Sequence, residues 1–306
     1  MNRTEKLFTI FVILLVSFTI YIFYIKRNEI KEFWNDTISR FKEGEVNPPY
    51  EKTVNHRTYT YKTVKETKDF KPNNINDIKN IIYTVLNNGW EEFSFYCPKK
   101  YENCINDVKL LVKDKYFLPL MNNYVNPYNE YKNFNTSIIN ESEVHVSINK
   151  LYTDEDKIKI NNKIKQILTE LNIKKYDYSL NDIKNIHDYL IKYIEYDTEY
   201  DDIKIGTPNT AIGALINKKA ICSGYADALA LILDELNIPN FKVSSEDHIW
   251  NVIKFNNEWK HIDLTWDDDK HNKNNYYNFY YISTKELLEK DKEFHSFNQE
   301  LYLELK

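Results

Sequence analysis

Cys222, His248 and Asp263 are a thiol, an imidazole and a carboxylate, the three groups that make up a nucleophilic acyl-transfer site. Cys222 lies in Lys219-Ala-Ile-Cys-Ser-Gly-Tyr-Ala226, directly before a run that is apolar on nearly every side as far as Leu236. Such a run is a buried central helix, and it places the thiol in the first helical turn. There the helix dipole and the free backbone N–H groups favour thiolate, the nucleophilic form, and those N–H groups can also face a developing oxyanion. All six alanines of the chain lie between Ala211 and Ala230, and Gly206, Gly213 and Gly224, three of five glycines, fall in or just before that stretch. Small residues concentrated around one cysteine predict a crowded site, because close-packed interiors punish added volume.

The elements that must carry the other two groups are legible as a hairpin. His248–Phe255 and Trp259–Asp267 flank Asn256-Asn257, a pair that tolerates the left-handed backbone of a tight turn. With that turn, Val252 faces His261 and His248 faces Thr265. Side-chain alternation then puts Ile249, Ile253, Phe255, Ile262, Leu264 and Trp266 on one face. His248, Trp250, Val252, His261, Asp263 and Thr265 fall on the other. His248 and Asp263 are diagonal neighbours on that face, close enough for a hydrogen bond. His261 is the competing base, further along the hairpin; the remaining histidines are expected in surface or core roles.

These blocks resemble the transglutaminase-like superfamily. Cys222-Ser-Gly224-Tyr225-Ala, His248-Ile-Trp250-Asn-Val-Ile and Trp259-Lys-His-Ile-Asp263-Leu-Thr-Trp266-Asp-Asp follow its order and spacing, with Trp250 two residues after the histidine. Ile249 stands where the family usually has alanine. The motif-bearing stretch is about 180–270, and residues 1–150 lie outside it. The resemblance implies an α+β fold with a papain-like transglutaminase core, a nucleophile helix packed on an antiparallel sheet. It implies Cys222 as nucleophile, His248 as general base and acid, and Asp263 as orienter, with Gly224, Tyr225, Trp250 and Trp266 in support. No matching position supplies a second oxyanion donor. The implied activity is thiol-dependent attack on an amide or peptide carbonyl through a thioester, with hydrolysis as the expected outcome. The alternatives are a protein-glutamine cross-linking transglutaminase and a non-catalytic binding module of the same fold. This chemistry requires no metal or organic cofactor, and the zinc-binding cysteines of the family's glycan-removing branch are not found.

Around this core, four segments are expected: a membrane anchor at 1–25, a polar stalk at 26–75, a small α+β domain at 76–150 and the catalytic domain at 151–306. Leu7–Ile25 is uncharged and about the ~20 residues a membrane-spanning helix needs. Its tail Tyr21-Ile-Phe-Tyr24 suits a membrane interface, and no small-x-small cleavage site follows, so an uncleaved transmembrane helix is expected, with a cleaved signal as the alternative. The positive flank after Ile25 (Lys26, Arg27, Lys31, Arg40, Lys42) argues for a cytoplasmic domain. Long domains translocate largely regardless of charge, and Cys97 and Cys104 could form a disulfide in an oxidising compartment, so the extracellular side is expected. Two unpaired thiols are the other reading of those cysteines.

A strand near Arg57–Val64 is expected within the stalk. Helices are predicted over Asn76–Leu86, ending near Gly89, over Ile105–Lys113, from Thr153 to about Leu171, and from Ser179 or Asn181 through Tyr196. Strands are predicted at Glu92–Cys97 and around Val144–Ile148. The acidic run Glu195, Asp197, Glu199, Asp201, Asp202 reads as a solvated charge run rather than a calcium loop. A net charge of −5 and a pI near 5.9 leave no basic footprint for nucleic acid. The expected partners are a protein or peptide substrate and the membrane. The 42% hydrophobic content suffices for a real core, with 25 tyrosines and 16 phenylalanines carrying much of it.

Overall fold

The computed structural model describes residues 24, 26, 27, 31, 61–64, 70–139, 141–199, 207–268 and 277–305. The chain divides into two units, Met1–Asn47 and Pro48–Lys306; all the elements below belong to the second.

Helix α1, Ile75–Asn88, begins at Asn74, whose side chain accepts from the N–H groups of Asn76 and Asp77. It stops at Gly89, whose φ of 64° is the left-handed conformation that closes a helix. Its apolar stripe, Ile78, Ile81, Ile82 and Val85, is buried. Strand β1 (Glu92–Tyr96) and helices α2 (Cys104–Lys113) and α3 (Phe117–Asn122) follow, then the hairpin of β2 (Tyr131–Ile139) and β3 (Glu143–Lys150). These strands form an antiparallel sheet in the order β1-β3-β2. Cys97 and Cys104 are joined by a disulfide, with their Cα atoms 5.6 Å apart. Tyr61 is buried against Tyr83 and Tyr124, and the Lys62 and Val64 N–H groups bond to Asn80 and Thr84 of α1. Residues 61–64 are not strand, which corrects that part of the expectation for 57–64; residues 57–60 lie outside the described residues.

The second half opens with two amphipathic helices, each started by a capping box. Thr153 and Asp156 cap α4 (Asp154–Glu170), and Ser179 and Asp182 cap α5 (Leu180–Tyr193). Both turn their isoleucine stripes toward α6, Cys222–Glu235. Behind α6 lies an antiparallel sheet in the order β6 (Asn240–Ser244), β7 (Ile249–Phe255), β8 (Glu258–Ile262), β9 (Tyr280–Ile282). Two short parallel strands, β4 (Glu195–Tyr196) and β5 (Lys219–Ala220), flank the start of α6. After β8 come α7 (Leu264–Asp267), then α8 (Thr284–Lys290) and α9 (Lys292–His295) on either side of Asp291. This is an α+β arrangement with helices packed on a sheet.

The expected membrane-spanning helix is corrected. No helix among the described residues is long and apolar enough to cross a membrane. The longest of them, α4, has 17 residues and alternates charged side chains with its isoleucines. Apart from Tyr24, the stretch 7–25 lies outside the described residues. The N-terminal transmembrane helix, the membrane as a partner and the membrane-anchored location are withdrawn with it.

Candidate active site

The hairpin forms with the expected register. Val252 pairs with His261, and Asn256 and Asn257 turn at φ 48° and 68°, the left-handed pair that a two-residue turn between twisted strands demands. The second arm ends earlier than alternation suggested. β8 stops at Ile262, and Asp263 becomes the N-cap of α7, its Oδ1 accepting from the N–H groups of Thr265 (2.9 Å) and Trp266 (3.2 Å). The cap turns the carboxylate so that its other oxygen, Oδ2, lies 2.5 Å from His248 Nε2. Burial alone would raise the Asp263 carboxyl. The charge and hydrogen bonds of His248, then those of His295, outweigh it and hold it well below the usual carboxylate range.

His248 sits at the mouth of β7 and is 8% exposed. Trp250 stacks on its ring at 5.6 Å with an interplanar angle of 18°, and Trp266 meets it edge-on at 6.2 Å. Burial opposes its charge, but Asp263, and then Cys222, raise the ring to about 10.

Cys222 is the first residue of α6 and is partly exposed. The first-turn N–H groups have no intrahelical partner by helix geometry, and Ile221, the N-cap, offers them no side-chain acceptor. Crowding at this helix start is severe. A Cβ on Gly224 would come within 2.5 Å of the Pro208 carbonyl oxygen and 2.9 Å of both Ala220 Cβ and the Thr210 carbonyl oxygen. On Gly213 it would approach the Thr207 carbonyl oxygen to 2.4 Å. Ala211, Ala214 and Ala220 are fully buried alongside. Tyr225 is buried and donates to Asp268 at 2.5 Å. Tyr196 on β4, 40% exposed, stands near enough to Cys222 that the cysteine's charge, after burial, raises its phenol.

His261 is in no position to serve as base. Its Nδ1 accepts from the Trp250 indole N–H at 2.9 Å, so Nε2 carries the proton, 3.0 Å from Thr284 Oγ1. Burial, then the charge of His295, lowers this ring to about 3, a neutral core imidazole.

Sequence reasoning missed His295. Its Nε2 lies 2.9 Å from the same Asp263 Oδ2, and its Nδ1 lies 2.9 Å from Asp291 Oδ2. The available signal was an Asp and a His four apart in a short amphipathic stretch, which marks a local pair and says nothing of where it docks. A second histidine, His187, is also held between two carboxylates, Asp188 at 3.1 Å and Asp267 at 3.0 Å, and so ties α5 to α7. His248, Asp263 and His295 offer ligand atoms within 4.8 Å of one another. Both imidazole nitrogens are hydrogen-bonded to a single carboxylate oxygen, so a cation among them would have to break both bonds. Asp197 of the acidic run pairs with Lys219 at 3.0 Å; Asp201 and Asp202 lie outside the described residues.

No family model and no curated protein matches the chain. Among solved structures it is similar to a TGase at TM-score 0.34 and 15% identity, covering 47% of this chain and 45% of that one. It is similar to menin, whose structure reveals a binding site for Mixed Lineage Leukemia protein, at TM-score 0.29 and 18% identity, covering 40% of this chain and 27% of that one. A proposed cysteine protease from Cytophaga hutchinsonii is similar at TM-score 0.27 and 11% identity, covering 44% of this chain and 61% of that one. These likenesses are weak and partial, and this chain spans less than two thirds of the length of each of those chains.

Proposed function

We propose that the chain is a thiol-dependent acyl-transfer enzyme in which Cys222, His248 and Asp263 work as nucleophile, general base and acid, and orienter. The observation that carries this reading is the position of His248. Asp263 holds its Nε2 at 2.5 Å, and its other charge partner is a partly exposed thiol at a helix N-terminus. The thiolate attacks the carbonyl carbon of a carboxamide or peptide, and the first-turn N–H groups of α6 face the oxyanion. The C–N bond breaks, the leaving amine takes its proton from His248, and a thioester on Cys222 remains. Water, deprotonated by His248, then hydrolyses the thioester to an acid and the free thiol. A protein or peptide substrate fits this chemistry.

The test incubates the protein and Cys222→Ala with a glutamine- and lysine-rich protein and a tagged primary amine, read by mass spectrometry. Cleavage or deamidation lost in the variant is expected. Amine incorporation lost in the variant would mean cross-linking instead. Silence in both, together with slow iodoacetamide alkylation of Cys222, would overturn the catalytic reading in favour of a binding module.

A further inference from the structure

We propose that Asp291 and His295 form a second imidazole–carboxylate pair that clamps Asp263 and divides its charge, making His295 a positioning residue for His248. The inference builds on the site proposed above. Asp263 is saturated: Oδ1 takes two backbone N–H groups of α7, and Oδ2 takes both His248 Nε2 and His295 Nε2. His295 is wholly buried and cannot swing aside. Its ring stacks on Phe279 at 4.9 Å and meets Trp250 at 4.9 Å and Trp266 at 5.3 Å.

Each nitrogen of that ring faces a carboxylate oxygen, which only accepts, so satisfying both takes the doubly protonated ring. An aromatic cage of this kind would hold an apolar side chain at less cost than a charged one. What the polar ring adds is a second donor on Asp263. The titratable groups around it are Asp291 at the cap of α9, Asp263 at the α7 cap, His248 just before β7 and His261 on β8. Cys222 and Tyr196 lie beyond His248, and Asp267 lies at the far end of α7. His295 arrives on the C-terminal segment, which is pinned nearby by Tyr302. That hydroxyl bonds to Asn123 (3.0 Å) and to the Ser244 N–H (3.1 Å).

The experiment follows the His248 ring through its titration by NMR, with the resonance assigned by its loss in His248→Gln, in the full chain and in His295→Leu, His295→Gln and Asp291→Asn. With Leu, Asp263 attracts His248 alone, and His248 should hold its proton to a pH about one unit higher, a tenfold change in that equilibrium. Gln keeps an N–H donor and should recover at least half of the shift; Asp291→Asn should move His248 in the same direction by a smaller step. An unchanged His248 titration in a folded His295→Leu protein overturns the proposal. If that variant does not fold, unchanged titrations in both His295→Gln and Asp291→Asn overturn it. Cys222 alkylation is measured on the same samples. A wild-type thiol that reacts no faster than an ordinary one sinks the catalytic reading and leaves the His248 titration readable, so the two ideas fail separately.

Discussion

Asp263 receives four donors on two oxygens, and the residues around it follow from that. Its charge raises His248 well above the ordinary histidine range, which favours the protonated ring at neutral pH; in the proposed mechanism that is the form a thiolate pairs with. In Asp263→Asn that attraction is lost, His248 falls back toward its ordinary value, and Cys222 alkylation at pH 7 should slow by about tenfold or more, read as rate against pH. His261 runs the opposite way in stability. Its folded pKa of about 3 lies below the ~6.5 of an unfolded histidine, so its contribution is present above pH ~6.5 and is lost as pH falls toward 3. Urea titrations at pH 7 and pH 5 should therefore show a smaller loss of stability on acidification in His261→Gln than in wild type. His248 has the reverse sign: its folded value is raised to about 10, so its contribution holds below ~6.5 and fades as pH rises to 10.

At the scale of elements, α6 and its neighbours show why small residues gather in one stretch. The loop at 207–210 passes so close to the first turn of α6 that Gly224→Ala has backbone oxygens at 2.5 and 2.9 Å to displace. That substitution should cost about 1–3 kcal/mol in chemical denaturation and slow Cys222 alkylation, because the first turn of α6 must shift. Helix starts at Thr153 and Ser179, the stop at Gly89 and the Asn256-Asn257 turn were all legible, since each is written in local side-chain chemistry. α3 and β2 were not. Phe117–Asn122 is too short for helical periodicity to emerge, and Tyr131–Ile139 is strand because β3 pairs with it. The end of β8 was misplaced because the alternation of Ile262, Leu264 and Trp266 continues through a chain that has already turned into a helix cap.

Across the whole molecule, a buried charge cluster ties the β2–β3 half to α6. Lys242 on β6 bonds to Glu130 and, at 2.6 Å, to Asp227 of α6, while Tyr152 donates to Asp227 at 2.5 Å and accepts from the Ala211 N–H at 2.8 Å. Two carboxylates around one ammonium leave a surplus negative charge in a dry site. Burial and then Asp227 push the Glu130 carboxyl up, so it is the group that takes up a proton. Lys242→Met strands both acids and should destabilise the fold by about 3–5 kcal/mol in urea titration, and Glu130→Gln in the same chain should restore part of that loss. Asn123, bonded to both Ser244 and Tyr302, and Tyr124, stacked on Phe241, continue the same junction.

The sequence by itself determined local pieces: the capped starts of α4 and α5, the stop at Gly89, the hairpin with Val252 opposite His261, and the cysteine at a helix start. Each depends on spacing within about twenty residues, where backbone geometry leaves few choices. The sequence carried α5 to Tyr196, where the helix ends at Tyr193, and it put Asp263 on a strand face, where the chain has already turned into a helix cap. Only the tertiary structure decided which groups meet across long separations. His295 shares an oxygen of Asp263 with His248 although the two histidines stand far apart in the sequence. His261 is disarmed by Trp250 and Thr284, and Lys242 on β6 finds Glu130 just ahead of β2. Those meetings depend on how whole elements pack, and no local pattern of side chains encodes a partner that arrives on another element.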